Sequence, residues 1–240
     1  MEHNKLNVVA AIVATTLGTS LVGCSSLPID TPPTSKKIIK SQNDERQYRY
    51  LQLENGLKVV LVSDLKADKA AASLDVHIGH MADPKGREGL SHFLEHMLFL
   101  GTEKYPKVGE YNEFLKENGG WSNAGTGQEH TNYYFEVNED AFEQALDRFA
   151  QFFIAPTFDP QYVEREKNAV NSEYTMKIKD DARRIREVLK ETSNQAHPAS
   201  QFSVGNLATL ADRKGSLLID DLKNQYEQYY SASRMALSVV

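Results

Sequence analysis

The chain has 240 residues, 40% hydrophobic and 25% charged, with a formal net charge of −6. That is an ordinary globular mixture, long enough to bury a sizeable core. The acidic balance, with no long run of like charge, gives no electrostatic basis for binding nucleic acid or an anionic lipid surface.

Taken in chain order, the first segment is a leader. Lys5 precedes a mostly apolar stretch of small residues, Leu6 to Val22, which has the length of a signal h-region and is too broken by Gly and Thr for a membrane span. It ends in Leu21-Val22-Gly23-Cys24, which resembles a bacterial lipobox, and Cys24 is the sole cysteine. The expectation is a lipoprotein-type signal over residues 1–23 and a lipid anchor on Cys24. Ser25 is not acidic, which points to an outer-membrane anchor facing the periplasm. An ordinary signal peptide with an incidental cysteine is the rival reading. Residues 24–47, with "DTPPTSKK" inside them, read as a flexible tether, because adjacent prolines favour extended chain with little to bury.

Order is expected from Tyr48. "YRYLQL" and "LKVVLV" flank Asn55-Gly56, a strong hairpin signal. "AASLDVHIG" reads as a third strand, "DPKGREG" as a loop, and "SHFLEHMLFL" (91–100) as a helix. "EYNEFLKENGG" is a second helix stopped by Gly119-Gly120. "WSNAGTG" and "TNYYFEV" read as strands. Residues 139–153 repeat apolar side chains at helical spacing, and Pro156 closes that helix. Asp159-Pro160 opens a long helical stretch over 161–191, in one or two pieces. "LIDDLKNQYEQYY" and "MALSVV" make a last helix and a last strand. The order predicts an α+β fold: a largely antiparallel sheet with helices packed on one face. The chain stops on that last strand as if at a domain edge.

The chemistry is concentrated in 91–100. On a helix, His92 and His96 project from one side, with Glu95 beside them. The other positions are Phe93, Leu94, Met97, Leu98, Phe99 and Leu100, so the helix is expected to be buried. Buried polar groups need partners, and leaving one unpaired costs roughly 1–3 kcal/mol. A divalent metal satisfies both imidazoles at once, and His-x-x-Glu-His is the inverted form of a known zinc motif. A buried His pair bridged by Glu95 is the metal-free alternative. A third ligand is needed. In "EREKNAVNSE", Glu166 and Glu173 lie two helical turns apart on a shared face. From spacing alone, one could ligate and the other support a histidine, or both could belong to a solvated acidic face. Trp121 and the pair Tyr133-Tyr134 read as core or as the wall of a chamber. His77, His80, His130 and His197 read as surface or packing residues, with a substrate contact as the alternative for each.

Four blocks carry a resemblance: "GLSHFLEHMLFLGTEKYP", "YNEFLKENGGWSNAGTGQEHTNYYFEV", "EREKNAVNSEYTMKIKDDARRI" and "NQAHPASQFSVGNLATL". Together the sequence from about Ile38 to Val240 resembles the pitrilysin/insulinase family of zinc metallopeptidases. The resemblance implies the LuxS/MPP-like metallohydrolase type of α+β fold, with 48–240 as an N-terminal catalytic domain. It implies one zinc ion held by His92, His96 and Glu173, with Glu95 as general base and Glu166 supporting a histidine. It also implies that Asn123 and Ala124, on an edge strand, pair with the backbone of a peptide substrate. Members of the family are longer, with related domains in two halves that enclose a chamber. The rest of the chamber is therefore expected from the remainder of the same polypeptide or from a partner subunit, and this piece alone should bind zinc but cleave peptides poorly. A non-catalytic homologous subunit is the rival function, and the presence of all four site residues weighs against it.

Overall fold

The computed structural model describes residues 38–240. The signal-type segment, Cys24 and the first part of the expected tether lie outside the described residues. Among the described residues no helix is long and apolar enough to cross a membrane.

Six strands form one sheet in the order β1-β2-β6-β3-β5-β4. They are β1 (Gln47–Gln52), β2 (Lys58–Ser63), β3 (Lys69–Val76), β4 (Trp121–Thr126), β5 (Thr131–Asn138) and β6 (Met235–Val239). The β1–β2 hairpin closes where expected. Gly56 takes φ +89°, and the Asn55 side chain accepts from the Leu57 N–H at 3.1 Å. The pairing is antiparallel throughout except for β2 with β6. The last strand inserts between β2 and β3, running parallel to the first and antiparallel to the second, with Leu74 opposite Leu237.

Alternation decides which face is covered. Ala72, Leu74, Val76, Tyr133, Phe135, Val137, Leu237 and Val239 are buried, while their neighbours Ser73, Asp75, Asn132, Tyr134 and Glu136 are only partly covered. On the buried face lie α1 (Leu90–Leu98), α2 (Glu110–Glu117), α3 (Phe142–Gln151) and α6 (Leu218–Tyr229). The fold is thus the α+β arrangement expected, with helices on one face of a mostly antiparallel sheet.

Two elements differ in detail from the sequence reading. The helix expected over 139–153 begins as a 3-10 turn, Glu139–Ala141, and is α-helical only from Phe142 to Gln151. The long stretch divides into α4 (Val163–Lys177) and α5 (Asp181–Glu191). The division has a local cause. The Asp180 carboxylate accepts from the Arg183 N–H at 2.9 Å, capping a new helix start that competes with continuing the old one. Trp121 is not core: it is 48% exposed on the edge strand, its ring standing edge-on to Tyr134.

Candidate metal centre and cleft

The site is built on α1. Its start needs outside help, because the N-cap, Gly89, has no side chain to satisfy the free N–H groups of the first turn. Asp83 performs this from the preceding loop. Its carboxylate accepts from the N–H groups of Gly89 (2.7 Å) and Ser91 (2.8 Å) and from the Ser91 hydroxyl (2.6 Å). Burial pushes Asp83 up to about 6 even against those hydrogen bonds. With the start fixed and Phe93, Leu94, Met97 and Leu98 completely covered, α1 presents its polar side in one orientation.

That side holds His92, Glu95 and His96, and α4 supplies the facing carboxylates. The Glu173 oxygens lie 3.7 Å from His92 Nε2 and 3.4 Å from His96 Nε2. Ligand atoms of His92, His96 and Glu173 all fall within 4.8 Å of one another. The other ring nitrogens are already engaged. His92 Nδ1 donates to the Val204 carbonyl at 2.7 Å, and His96 Nδ1 is 3.3 Å from Glu166 Oε2. So each ring turns Nε2 toward Glu173. Arg165 in turn bonds Glu166 at 2.8 Å, and Lys177 bonds Glu173 at 2.5 Å.

The donor set fits zinc. A tetrahedral ion about 2.0–2.1 Å from each donor places the donors about 3.3 Å apart, close to the two separations above. Two neutral imidazoles, a carboxylate and supporting bonds on both Nδ1 atoms are the chemistry that zinc takes. Electrostatics agree with a clustered cation site. Burial would raise Glu166 and Glu173, but the hydrogen bonds of His96 and Arg165 to one and of Lys177 to the other hold both below the usual carboxylate range. Burial also lowers His92. It opposes the charge on His96 as well, yet the hydrogen bond to Glu166 and the nearby Glu95 and Glu173 raise that ring above its ordinary value.

Glu95 is buried and is not one of the three converging ligands; its Oε2 accepts from the Thr126 hydroxyl at 2.6 Å. Thr126 is on β4, the edge strand whose only neighbour in the sheet among the described residues is β5. Asn123 and Ala124 lie on the same strand, and the Ala124 N–H bonds the Asn123 side-chain oxygen at 2.9 Å. Glu95, His92, Glu173, Asn123 and Ala124 all line one open cleft of about 1070 Å³. The structure therefore brings together every site residue named from the sequence except Cys24, which is outside the described residues; His96 and Glu166 join the group through their contact with each other and are not among the residues lining the cleft.

Sequence reading missed several contributors. Lys177 follows Glu173 at a helical i,i+4 spacing, a signal present in the sequence. Thr126 carries no signal beyond strand alternation. The Val204 carbonyl carries none, being backbone. It reaches His92 because Gly89 and Gly205 face each other. A Cβ on Gly89 would stand 2.2 Å from the Gly205 Cα, and Gly89 has φ +93°. Gly89→Ala is expected to destabilise the chain by roughly 1–3 kcal/mol through strain and clash. By moving the 204–205 loop it should also weaken zinc binding about tenfold. A urea titration and a zinc titration against a chelating dye measure the two effects.

His80 lines the same cleft and is not a surface residue. It is 7% exposed, and its Nδ1 has no hydrogen-bond partner among the described residues. Burial, with the charge of Lys190, lowers it from the ordinary 6.5 to about 4. The native ring is thus neutral where the unfolded one takes a proton, so its contribution to stability is complete above pH 6.5 and is lost as pH falls toward 4. Stability of the wild type relative to His80→Gln should fall by on the order of 1–2 kcal/mol across that interval. Urea midpoints measured at several pH values check this, and a difference independent of pH would refute it.

Comparison with known proteins places this geometry. Residues 58–204 match the family described as Insulinase (Peptidase family M16). The insulin-degrading enzyme of Bos taurus is 52% identical over 206 residues, 85% of this chain and 20% of that protein. Protease 3 of Escherichia coli (strain K12) is 45% identical over 203 residues, 85% of this chain and 21% of that protein. The crystal structure of pitrilysin superposes with a TM-score of 0.83 at 44% identity, covering 86% of this chain and 22% of that one. The chain spans about a fifth of the length of the relatives it matches. With a match across most of the described residues, and with the paired histidines and the facing glutamate inside it, this chain belongs to the insulinase family of peptidases, M16.

Proposed function

We propose that the chain is the metal-holding catalytic domain of a zinc endopeptidase that hydrolyses peptides and small unfolded proteins. The observation that supports this most is the convergence of His92, His96 and Glu173 beside buried Glu95, along an edge strand that opens onto a cleft. When bound there, zinc supplies Lewis acidity toward the scissile carbonyl and makes water a competent nucleophile near neutral pH.

The chain's own residues do the rest. The bonds to Val204 and Glu166 hold the His92 and His96 rings so that neither has to reorganise on metal binding. Thr126 fixes one oxygen of Glu95, leaving Oε1 to take the proton of the attacking water and deliver it to the leaving amine. The free edge of β4 receives the substrate backbone as an added strand, at Asn123 and Ala124. The Ala124 N–H is presently bonded to the Asn123 side chain, which a substrate carbonyl would replace. Main-chain pairing of this kind gives affinity with loose sequence preference.

The other wall of the binding chamber is proposed to come from the rest of a longer polypeptide or from a partner subunit. In support, α5 leaves Ile185, Val188 and Leu189 about 60% exposed at helical spacing, an apolar stripe of the kind that marks an interaction surface. The lipobox-like sequence supports a further proposal, a lipid anchor on Cys24 facing the periplasm, which mass spectrometry of the mature N-terminus tests.

Metal analysis tests the central reading. The purified protein should carry one zinc per chain, and His96→Ala should carry essentially none. Stoichiometric zinc surviving that change, or none bound by the wild type, would overturn it.

A further inference from the structure

The cleft has a charge character that hydrolysis does not require. Its basic lining residues are Lys177, Arg183, Arg186 and Lys190, against the acidic Glu95 and Glu173. Both lysines are committed. Lys177 bonds Glu173 at 2.5 Å, and Lys190 sits 3.1 Å from Glu187 and bonds the Gln201 carbonyl at 3.0 Å. The two arginines are not. Among the described residues, no carboxylate lies within ion-pair distance of either guanidinium, although Arg184 between them is paired with Asp181 at 3.1 Å. Arg183 and Arg186 are exposed and three residues apart on α5, so they project from one side of the helix, and both line the cleft that holds His92, Glu95 and Glu173. In a chain of net charge −6 this is a local excess of positive charge at the substrate's position.

We infer that Arg183 and Arg186 form a carboxylate-reading subsite, so that the cleft selects peptides with an acidic group near the bond to be cleaved. Guanidinium groups suit this role. They stay charged at all working pH values, and their planar fork matches a carboxylate in two parallel hydrogen bonds. The carboxylate comes either from an Asp or Glu side chain or from a free peptide C-terminus. Helix α5 also supplies Leu189 to the cleft, so the acidic group would sit beside an apolar contact. This inference rests on the peptidase reading above, and it adds a preference that strand pairing along β4 does not provide.

The test uses the complete gene product, loaded with zinc, and a neutral fluorogenic peptide. Asp is compared with Asn at each position flanking the cleaved bond, and a free C-terminus with its amide. Cleavage gives kcat/KM, and binding of the same peptides to the Glu95→Gln variant by fluorescence anisotropy gives affinity without turnover. The acidic member of at least one pair should be favoured about tenfold in both readouts, the size of one charge-assisted hydrogen bond partly open to water. R183Q/R186Q, which keeps good helix formers at exposed positions, should bring that ratio to about one. R183E/R186E should invert it, favouring the neutral member of the pair over the acidic one. A preference following Asp over Asn assigns the side chain as the source, and one following only the free terminus assigns the C-terminus. A wild-type ratio of one, or a ratio that survives R183Q/R186Q, overturns the subsite. Binding preference without cleavage of any peptide supports the subsite and overturns the peptidase reading instead.

Discussion

Glu95→Gln is expected to lower peptide turnover about a thousandfold while leaving zinc content unchanged, within the 10²–10⁴ range for a positioned proton-transfer group. The change is nearly isosteric. The amide oxygen can still accept from Thr126, so the local packing of this buried side chain is kept. What is lost is the basicity of the second oxygen. The three atoms that converge on the metal position belong to His92, His96 and Glu173, not to Glu95, so metal binding and proton transfer are separable. Turnover is measured on the complete gene product, and metal by elemental analysis of the same preparation. Zinc lost together with activity would make Glu95 a ligand. Activity retained with zinc in place would assign the base elsewhere.

Much of this arrangement was legible because it depends on short-range spacing. A histidine pair one helical turn apart in an otherwise apolar helix has few physical explanations, and the periodicities that marked β5 and α3 are equally local. The two glutamates of α4 show where local reasoning stops. Glu166 and Glu173 share a face, and spacing cannot distinguish them. In the fold the helices cross so that Glu173 reaches both Nε2 atoms, while Glu166 stands one ring further back on His96 Nδ1. The insertion of β6 between β2 and β3 is a topological choice of the same long-range kind. Of the two readings of Trp121, core or chamber wall, the core one fails: a large aromatic on an alternating strand usually faces a core, whereas β4 is an edge strand and this position is on its open side. The Val204 carbonyl left no trace at all, since any residue has one.

Arg87→Ala should be the most destabilising single change outside the site, by about 3 kcal/mol, from the loss of one member of a buried charge pair. Arg87 is 2% exposed. Its guanidinium donates to Asp221 at 2.6 Å, to the Ser216 hydroxyl at 3.0 Å, and to the carbonyls of Ala211 and Ser216. These bonds tie the loop before α1 to the segment leading into α6. Removing the side chain leaves those carbonyls without their donor and Asp221 without its cation, although the Ser216 hydroxyl still bonds that carboxylate at 2.6 Å. Because Asp221 keeps 24% side-chain exposure, water recovers part of the loss, which places the effect at the low end of the range for buried pairs. Arg87→Lys should recover little, since one ammonium cannot satisfy four acceptors spread around a planar fork. The measurement is the urea midpoint at constant m-value, read beside zinc affinity. The loop that Arg87 anchors also carries Asp83, the cap of α1, so zinc affinity should fall with stability. A variant that lost less than about 1 kcal/mol would show that the segment before α6 is held by its packing and not by this arginine.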